Sequence, residues 1–395
     1  MSMPLFASGT ARGGTNLLVM SLSVNSEISL AQDPYLPIFK SLRNAIISSN
    51  NDKTFKGFDE GSPLDEYYYF DERLAVMRAV QDASLDIPFN EAELPGLLVS
   101  LANRMSLSSP LLSQYLNNLR GDTYKDLFLS ALELVGTARH TPNTKWLGFN
   151  DNWTVEFFPA LARAFPESHF IIIIRDVRAS IATQLQLKDP GLIALIMSFA
   201  RCWRKQVAMA CHYQSLDLFK DRLHILTYEQ LVSEPENRIK ELSRFLDVDY
   251  TPDMIDTTKF VGPDGGGWIP NSNFKGAPQK GIYQGSVNRW KKVLSSETVN
   301  LIEFIAGSEL EMLGYELEGT VDDDNQLYSA HDLHQKNHQE CKGWRTDNNN
   351  PDLDFGLELL RQKCLQTKTH NIGLIERCFL FPDVYEKLYE GKKIF

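Results

Sequence analysis

The chemistry-bearing residues closest together in this chain are Thr10-Ala11-Arg12-Gly13-Gly14-Thr15-Asn16. They follow the apolar run Met3-Pro4-Leu5-Phe6-Ala7 and lead into Leu17-Leu18-Val19-Met20. A strand, a glycine turn and a helix in that order aim successive backbone N–H groups into one concavity at the positive end of the helix, a geometry that binds phosphate. Gly9 and Gly14 are spaced as in a Walker A loop, yet Thr15 stands where the lysine belongs and the positive charge comes earlier, at Arg12. An NTP-hydrolysing enzyme would lack the lysine that reaches its β- and γ-phosphates, so the loop reads as a cradle for a different nucleotide.

Two other clusters carry polar chemistry. Residues 59–72 combine many carboxylates with the aromatic run Tyr67-Tyr68-Tyr69-Phe70. Charge runs are usually solvated faces, and the plain reading is a loop leading into a helix whose rings pack on the core. The sharper reading is an acceptor-binding lobe, because aromatic faces beside carboxylates suit a cationic or polyhydroxylated ligand. His331, His334, His338 and Cys341 lie close together further on, with His334 and His338 at a helical spacing compatible with zinc. Their surroundings are polar, and no metal is expected.

These groups need a frame to hold them. Short apolar runs at 3–7, 28–34, 145–150, 169–174 and 222–228 read as strands, the second ended by Pro34. Helical patterns begin after the glycine turn, cover 156–165 and 236–245, start again at Ala179, and fill most of 35–130. Strands alternating with helices predict a parallel sheet covered on both faces, with ligands outside the carboxyl ends of the strands. The segments 9–16, 150–153 and 175–183 fall at such ends. Residues 261–288, rich in Gly, Pro, Asn and Ser, read as a functional loop or lid. The expected fold class is α/β, a P-loop-like parallel sheet flanked by helices. Its domain covers residues 1–318 with a mostly helical, acceptor-side insertion at 35–130, and a C-terminal extension of open role covers 319–395.

Composition narrows the function classes. The 395 residues allow one large domain or two ordinary ones, and 43% hydrophobic with 23% charged residues describe a globular protein. No apolar run has the length of a membrane helix, and the N-terminus lacks the charged, apolar and small-residue regions of a signal peptide, so a cytoplasmic chain without membrane association is expected. Five cysteines without paired spacing read as buried thiols. A net charge of -11 argues against nucleic-acid binding and favours a neutral or cationic small-molecule acceptor over a polyanionic one.

Taken with four later segments, the loop resembles the sulfotransferases that use 3′-phosphoadenosine-5′-phosphosulfate (PAPS), and within them the bacterial and tyrosylprotein-type branch. By motif order the resemblance covers roughly residues 3–318. It implies that residues 10–16 embrace the 5′-phosphosulfate. It implies that Arg175, at a strand end, and Thr183, on the following helix, hold the 3′-phosphate, with Ser180 one turn earlier able to substitute. A strand-end arginine offers a fork of donors to phosphate, and the helix start adds N–H groups and a hydroxyl. Leu226-Thr227-Tyr228-Glu229-Gln230-Leu231 matches the family's Tyr-Glu-Asp-Leu stretch and places Tyr228 near the adenine. Ser286-Val287-Asn288-Arg289-Trp290-Lys291 matches its Arg-Trp-Lys ending, and the preceding loop at Gln279, Lys280 and Gly281 would close over the nucleotide.

The fifth segment, Phe149-Asn150-Asp151-Asn152-Trp153, stands where relatives carry Lys-Asp-Pro. The resemblance further implies a carboxylate base just after the second strand, which here is Asp33, with a helix-capping role as its plain alternative. His140, ahead of the third strand, is the second candidate base. Arg12 is the charge donor for the departing PAP, and the reaction needs no metal. Three departures are visible: Gly13 for Ser, Asn16 for a hydroxyl residue, and Asn150 for Lys. The expected activity is sulfuryl transfer from PAPS to a hydroxyl or amine of a small neutral or cationic metabolite, a specialised natural product. The alternatives are a carbohydrate or lipid-linked sugar acceptor, a P-loop kinase, and a non-catalytic nucleotide-binding protein. Oligomeric state stays open.

Overall fold

The structure, a computed structural model, describes residues 2–49, 55, 61, 64, 69–139, 144–268, 281–319, 324–345 and 350–393. Its sheet has five strands, β1 (Met3–Gly9), β2 (Ile28–Gln32), β3 (Trp146–Asn150), β4 (His169–Ile174) and β5 (Leu223–Thr227). All pairings are parallel, in the order β2-β3-β1-β4-β5. A strand buried on both faces reads as a continuous apolar run, which is why Phe170 to Ile174 shows no alternation. Ala7, Leu5, Ile171 and Ile173 pack on one face against Leu18, Val19 and Leu22 of helix Thr15–Leu22 and against Ile239 and Leu242 of helix Pro235–Phe245. On the other face Phe6 meets Phe149 and Phe170, and Phe149 meets Tyr35, Phe39 and Phe128.

Contacts divide the chain into two compact units. The first, Met1–Gly61, Val76–Ile174 and Leu216–Gln284, holds the whole sheet. The second, Ser62–Ala75, Arg175–Ser215 and Gly285–Phe395, is helical among its described residues. Residue 318 is not a boundary between these units.

Within the second unit, charges are buried in pairs. Arg201 donates to Asp354 and Glu358, Arg204 donates to Glu358, and the Tyr69 hydroxyl bonds Glu358 at 3.0 Å. Burial pushes the Glu358 carboxyl up, but Arg204 and Arg201 outweigh it and hold it down at about 2. Arg361 pairs with Glu309. Tyr69, one of the four consecutive aromatics, is therefore a buried structural residue and no acceptor surface; most of the rest of that acidic stretch lies outside the described residues.

Sequence boundaries shift at two places for visible reasons. β2 stops at Gln32, before Pro34, because Asp33 turns to a φ of 47°. The helix expected at Ala179 begins at Val177, because the Asp176 side chain caps it by accepting from the Arg178 N–H.

Candidate active site

β1 lies between β3 and β4, its own crossover leading to β2 on one side while β4 continues to β5 on the other. The loop after β1 thus sits at the switch point where open parallel sheets bind ligands. It is turned by a Gly13 N–H to Thr10 carbonyl bond of 2.9 Å. Arg12 and Gly14 are left-handed, at φ 63° and 96°, and Gly13 between them is not. Alternation of this kind gathers N–H groups into an anion-binding nest. A Cβ at Gly13 would lie 2.7 Å from the Thr10 carbonyl oxygen, and one at Gly14 would lie 2.2 Å from the Tyr228 ring. Tyr228 opens a helix whose start is fixed by a reciprocal cap between Thr227 and Gln230.

Several features of this loop fit a phosphate-bearing group. No side chain caps helix Thr15–Leu22, and its first turn holds no acidic residue. Thr10 Oγ1 is buried with no hydrogen-bond partner among the described residues. An uncapped helix start, a nest, an orphaned hydroxyl and Arg12 form one donor-rich cradle.

Beside the cradle stands Asp33. Its carboxylate accepts from Asn152 N at 3.1 Å and from Asn152 Nδ2 at 3.0 Å. Asn152 Oδ1 in turn accepts from Thr15 Oγ1 at 3.3 Å, which ties Asp33 to the phosphate loop through one side chain. Arg104, on helix Leu94–Ser108, donates from Nε to the Asp33 carbonyl at 2.8 Å, and Ser108 Oγ donates to the same carbonyl at 3.0 Å. Arg104 Nη2 lies 3.6 Å from Asp33 Oδ1 and 3.6 Å from Asp151 Oδ1. Asp151 accepts from the backbone N–H groups of Tyr35 and Leu36 at the start of helix Leu36–Ser49. The capping role considered for Asp33 is therefore filled by Asp151. Burial raises the proton affinity of both carboxyls, opposed first by Arg104. Burial lowers that of the Arg12 guanidinium, opposed by Asp33.

The second unit holds the other proposed phosphate ligands. Arg175 is buried; its Nη2 donates to the Ser286 carbonyl at 3.2 Å, and its carbonyl accepts from Trp203 Nε1 at 2.8 Å. Ser180 Oγ is fully buried without a partner among the described residues, whereas Thr183 Oγ1 donates to the Ala179 carbonyl and accepts from Arg289 Nη2 at 3.1 Å. Arg178 is held by Asp176, Glu303 and the face of Trp290, so it has a structural part.

Residues 4–252 match the Sulfotransferase family. The chain belongs to the sulfotransferase family. Among its relatives, Protein-tyrosine sulfotransferase 2 of Gallus gallus is 26% identical over 148 residues, 37% of this chain and 40% of that protein. Protein-tyrosine sulfotransferase of Drosophila melanogaster is 25% identical over 190 residues, 47% of this chain and 37% of that protein. The chain thus spans less than half the length of these two relatives. The solved Sulfotransferase Domain from the Curacin Biosynthetic Pathway aligns at 15% identity and a TM-score of 0.42, covering 80% of this chain and 99% of that one. The expectation of a sulfotransferase rather than a P-loop kinase holds at the level of family.

In this sulfotransferase, Asn150 ends β3 fully buried, with both amide atoms unpartnered among the described residues. Lys145 does not stand in for the missing lysine, since its Nζ pairs with Asp247 at 2.6 Å. Gly281 donates its N–H to Thr257 Oγ1 at 2.7 Å, while His140, Gln279 and Lys280 lie outside the described residues. His331 engages Asp352, Cys341 engages the Ile193 carbonyl, and burial pushes His334 down to about 4. Three residues of the constellation escaped sequence reasoning: Arg104, Asp151 and Asn152. The last two sat in a recognised segment without being given roles, and Arg104 sat in a helix with no local motif to mark it.

Proposed function

We propose that the chain transfers a sulfuryl group from PAPS to a hydroxyl or amine of a small neutral or cationic acceptor, with Asp33 taking the acceptor's proton. The observation that carries the reading is the bridge Thr15–Asn152–Asp33, which sets a half-buried carboxylate beside a phosphate cradle. When bound, PAPS supplies the activated sulfuryl group. Thr10, Ala11, Gly13, Gly14, Thr15 and Asn16 would hold its 5′ end. By resemblance to the family, Arg175, Ser180 and Thr183 would serve its 3′-phosphate, and Ser180 is better suited than Thr183, whose hydroxyl already has two partners. Tyr228 offers a ring to the base and Gly281 part of a closing loop.

Arg12 belongs to the cradle loop, and its guanidinium would stabilise a departing anion. Asp33 has the role of proton acceptor because burial brings its carboxyl closer to neutrality than an ordinary aspartate, while Asn152 and Arg104 keep the charged form accessible. A net charge of -11 supports a neutral or cationic acceptor. A second reading, a tyrosine phenol within a peptide, is favoured by the names of the relatives.

The test is incubation of the full chain with radiolabelled PAPS and either tyramine, a small cationic phenol, or a tyrosine peptide. Label on tyramine supports the first reading, and label on the peptide alone moves the assignment to the second. No label on any phenol, alcohol or amine in a broader panel would sink both.

A further inference from the structure

Arg104 has no part in the phosphate cradle, yet it meets the proposed base at two points, its carbonyl and its carboxylate. It reaches Asp33 from 71 positions along the chain, so only the tertiary fold brings the two together. Its Nε bond to the Asp33 carbonyl holds the backbone in the left-handed turn that ends β2. Its Nη2 stands at equal distances, 3.6 Å, from one oxygen of Asp33 and one of Asp151. That separation is too long for a hydrogen bond but short for a Coulombic interaction in a partly buried setting. The oxygens of Asp33 are thereby charge-compensated without being capped by the arginine, and their hydrogen bonds come from Asn152.

The groups facing Asp33 can be named. The phosphate loop contributes Arg12, helix Leu94–Ser108 contributes Arg104, and the loop after β3 contributes Asp151 and Asn152. Tyr35 packs beyond Asp151 and gives it an N–H bond. The half-buried Asp33 and the buried Asp151 thus share Arg104, and Arg12 adds its charge to Asp33. Removing Arg104 would leave Asp33 with Arg12 and the Asn152 donors against burial and a second carboxylate, a balance that favours the protonated acid.

We propose that Arg104 is a positioning residue that keeps Asp33 ionised, and so sets the lower pH limit of turnover. This rests on Asp33 being the proton acceptor. The proton leaves the acceptor's oxygen or nitrogen and ends on an Asp33 carboxylate oxygen, which must be empty beforehand. Arg104 governs how far the pH can fall before that oxygen is occupied.

The test reads the carboxyl directly. Full-length protein labelled with ¹³C at the aspartate carboxyls is titrated by NMR, with Asp33 assigned through Asp33→Asn. In Arg104→Gln the Asp33 midpoint should rise by about one pH unit or more, and the acid limb of kcat/KM for tyramine with it. Arg104→Lys, which keeps the charge, should stay within about half a unit of native, and it serves also if the Gln variant fails to fold. An unmoved midpoint in a folded Gln variant, or a full-unit rise in the Lys variant, overturns the proposal. The underlying reading fails separately: it falls if Asp33→Asn keeps native turnover, whatever the Arg104 variants do.

Discussion

Asp33 carries the heaviest load of any residue in the proposed site, being left-handed, half-buried beside a second carboxylate and bonded to the phosphate loop through Asn152. Asp33→Asn should lower kcat by about 10²-fold or more, as loss of a general base does, with PAP affinity unchanged by calorimetry. The base works ionised and burial raises its proton affinity, so turnover should fall as pH drops through a value above the ordinary aspartate range of about 3.9. A pH–rate profile with no acid limb above that range would remove Asp33 from the role. Arg12→Ala should cost about 10²- to 10³-fold in kcat if its charge meets the departing group, read from steady-state rates. Arg12 and the glycines were legible because the loop's chemistry is local: seven consecutive residues contain it. Arg104 and Asp151 were not, because their meaning comes from meeting Asp33 across the fold.

At the scale of elements, the five strands were legible because a doubly covered parallel sheet writes itself as apolar runs between turns. The ends were less so. Nothing in Gln32-Asp33-Pro34 announces a left-handed aspartate, and the strand stops a residue before it. The phosphate loop depends on one close approach, that of the Tyr228 ring to the Gly14 backbone. Gly14→Ala should therefore weaken PAP binding about tenfold or more in calorimetry, since a left-handed side chain alone costs about 1–2 kcal/mol before the clash is added. The double variant Gly14→Ala with Tyr228→Ala should recover part of that loss by making room. Equal weakening in single and double variants would mean that the ring contact is not what limits the loop.

For the molecule as a whole, the helical unit was the least legible part, because its core is set by buried ion pairs as well as by apolar periodicity. Arg201, Arg204, Asp354 and Glu358 are all almost fully buried, and such residues look like surface charge in a sequence. Glu358→Gln breaks the pairs and should destabilise the protein by about 3–5 kcal/mol, seen as a lowered unfolding temperature. The Glu358 carboxyl is held at about 2, against 4.5 for the ordinary group. Its contribution is thus full above about 4.5 and lost as pH falls toward 2, and the Gln variant should lose the native protein's acid sensitivity over that window. Identical acid unfolding in both proteins would show that the network does not carry that dependence.

The central claim is that the cradle after β1 serves a PAPS-type nucleotide. Calorimetric titration of the full chain with PAP, and separately with ATP and Mg²⁺, tests it most directly. The account predicts a saturable PAP isotherm and no ATP binding, because the loop has Thr15 where a triphosphate-binding loop has its lysine. ATP binding with indifference to PAP would contradict it.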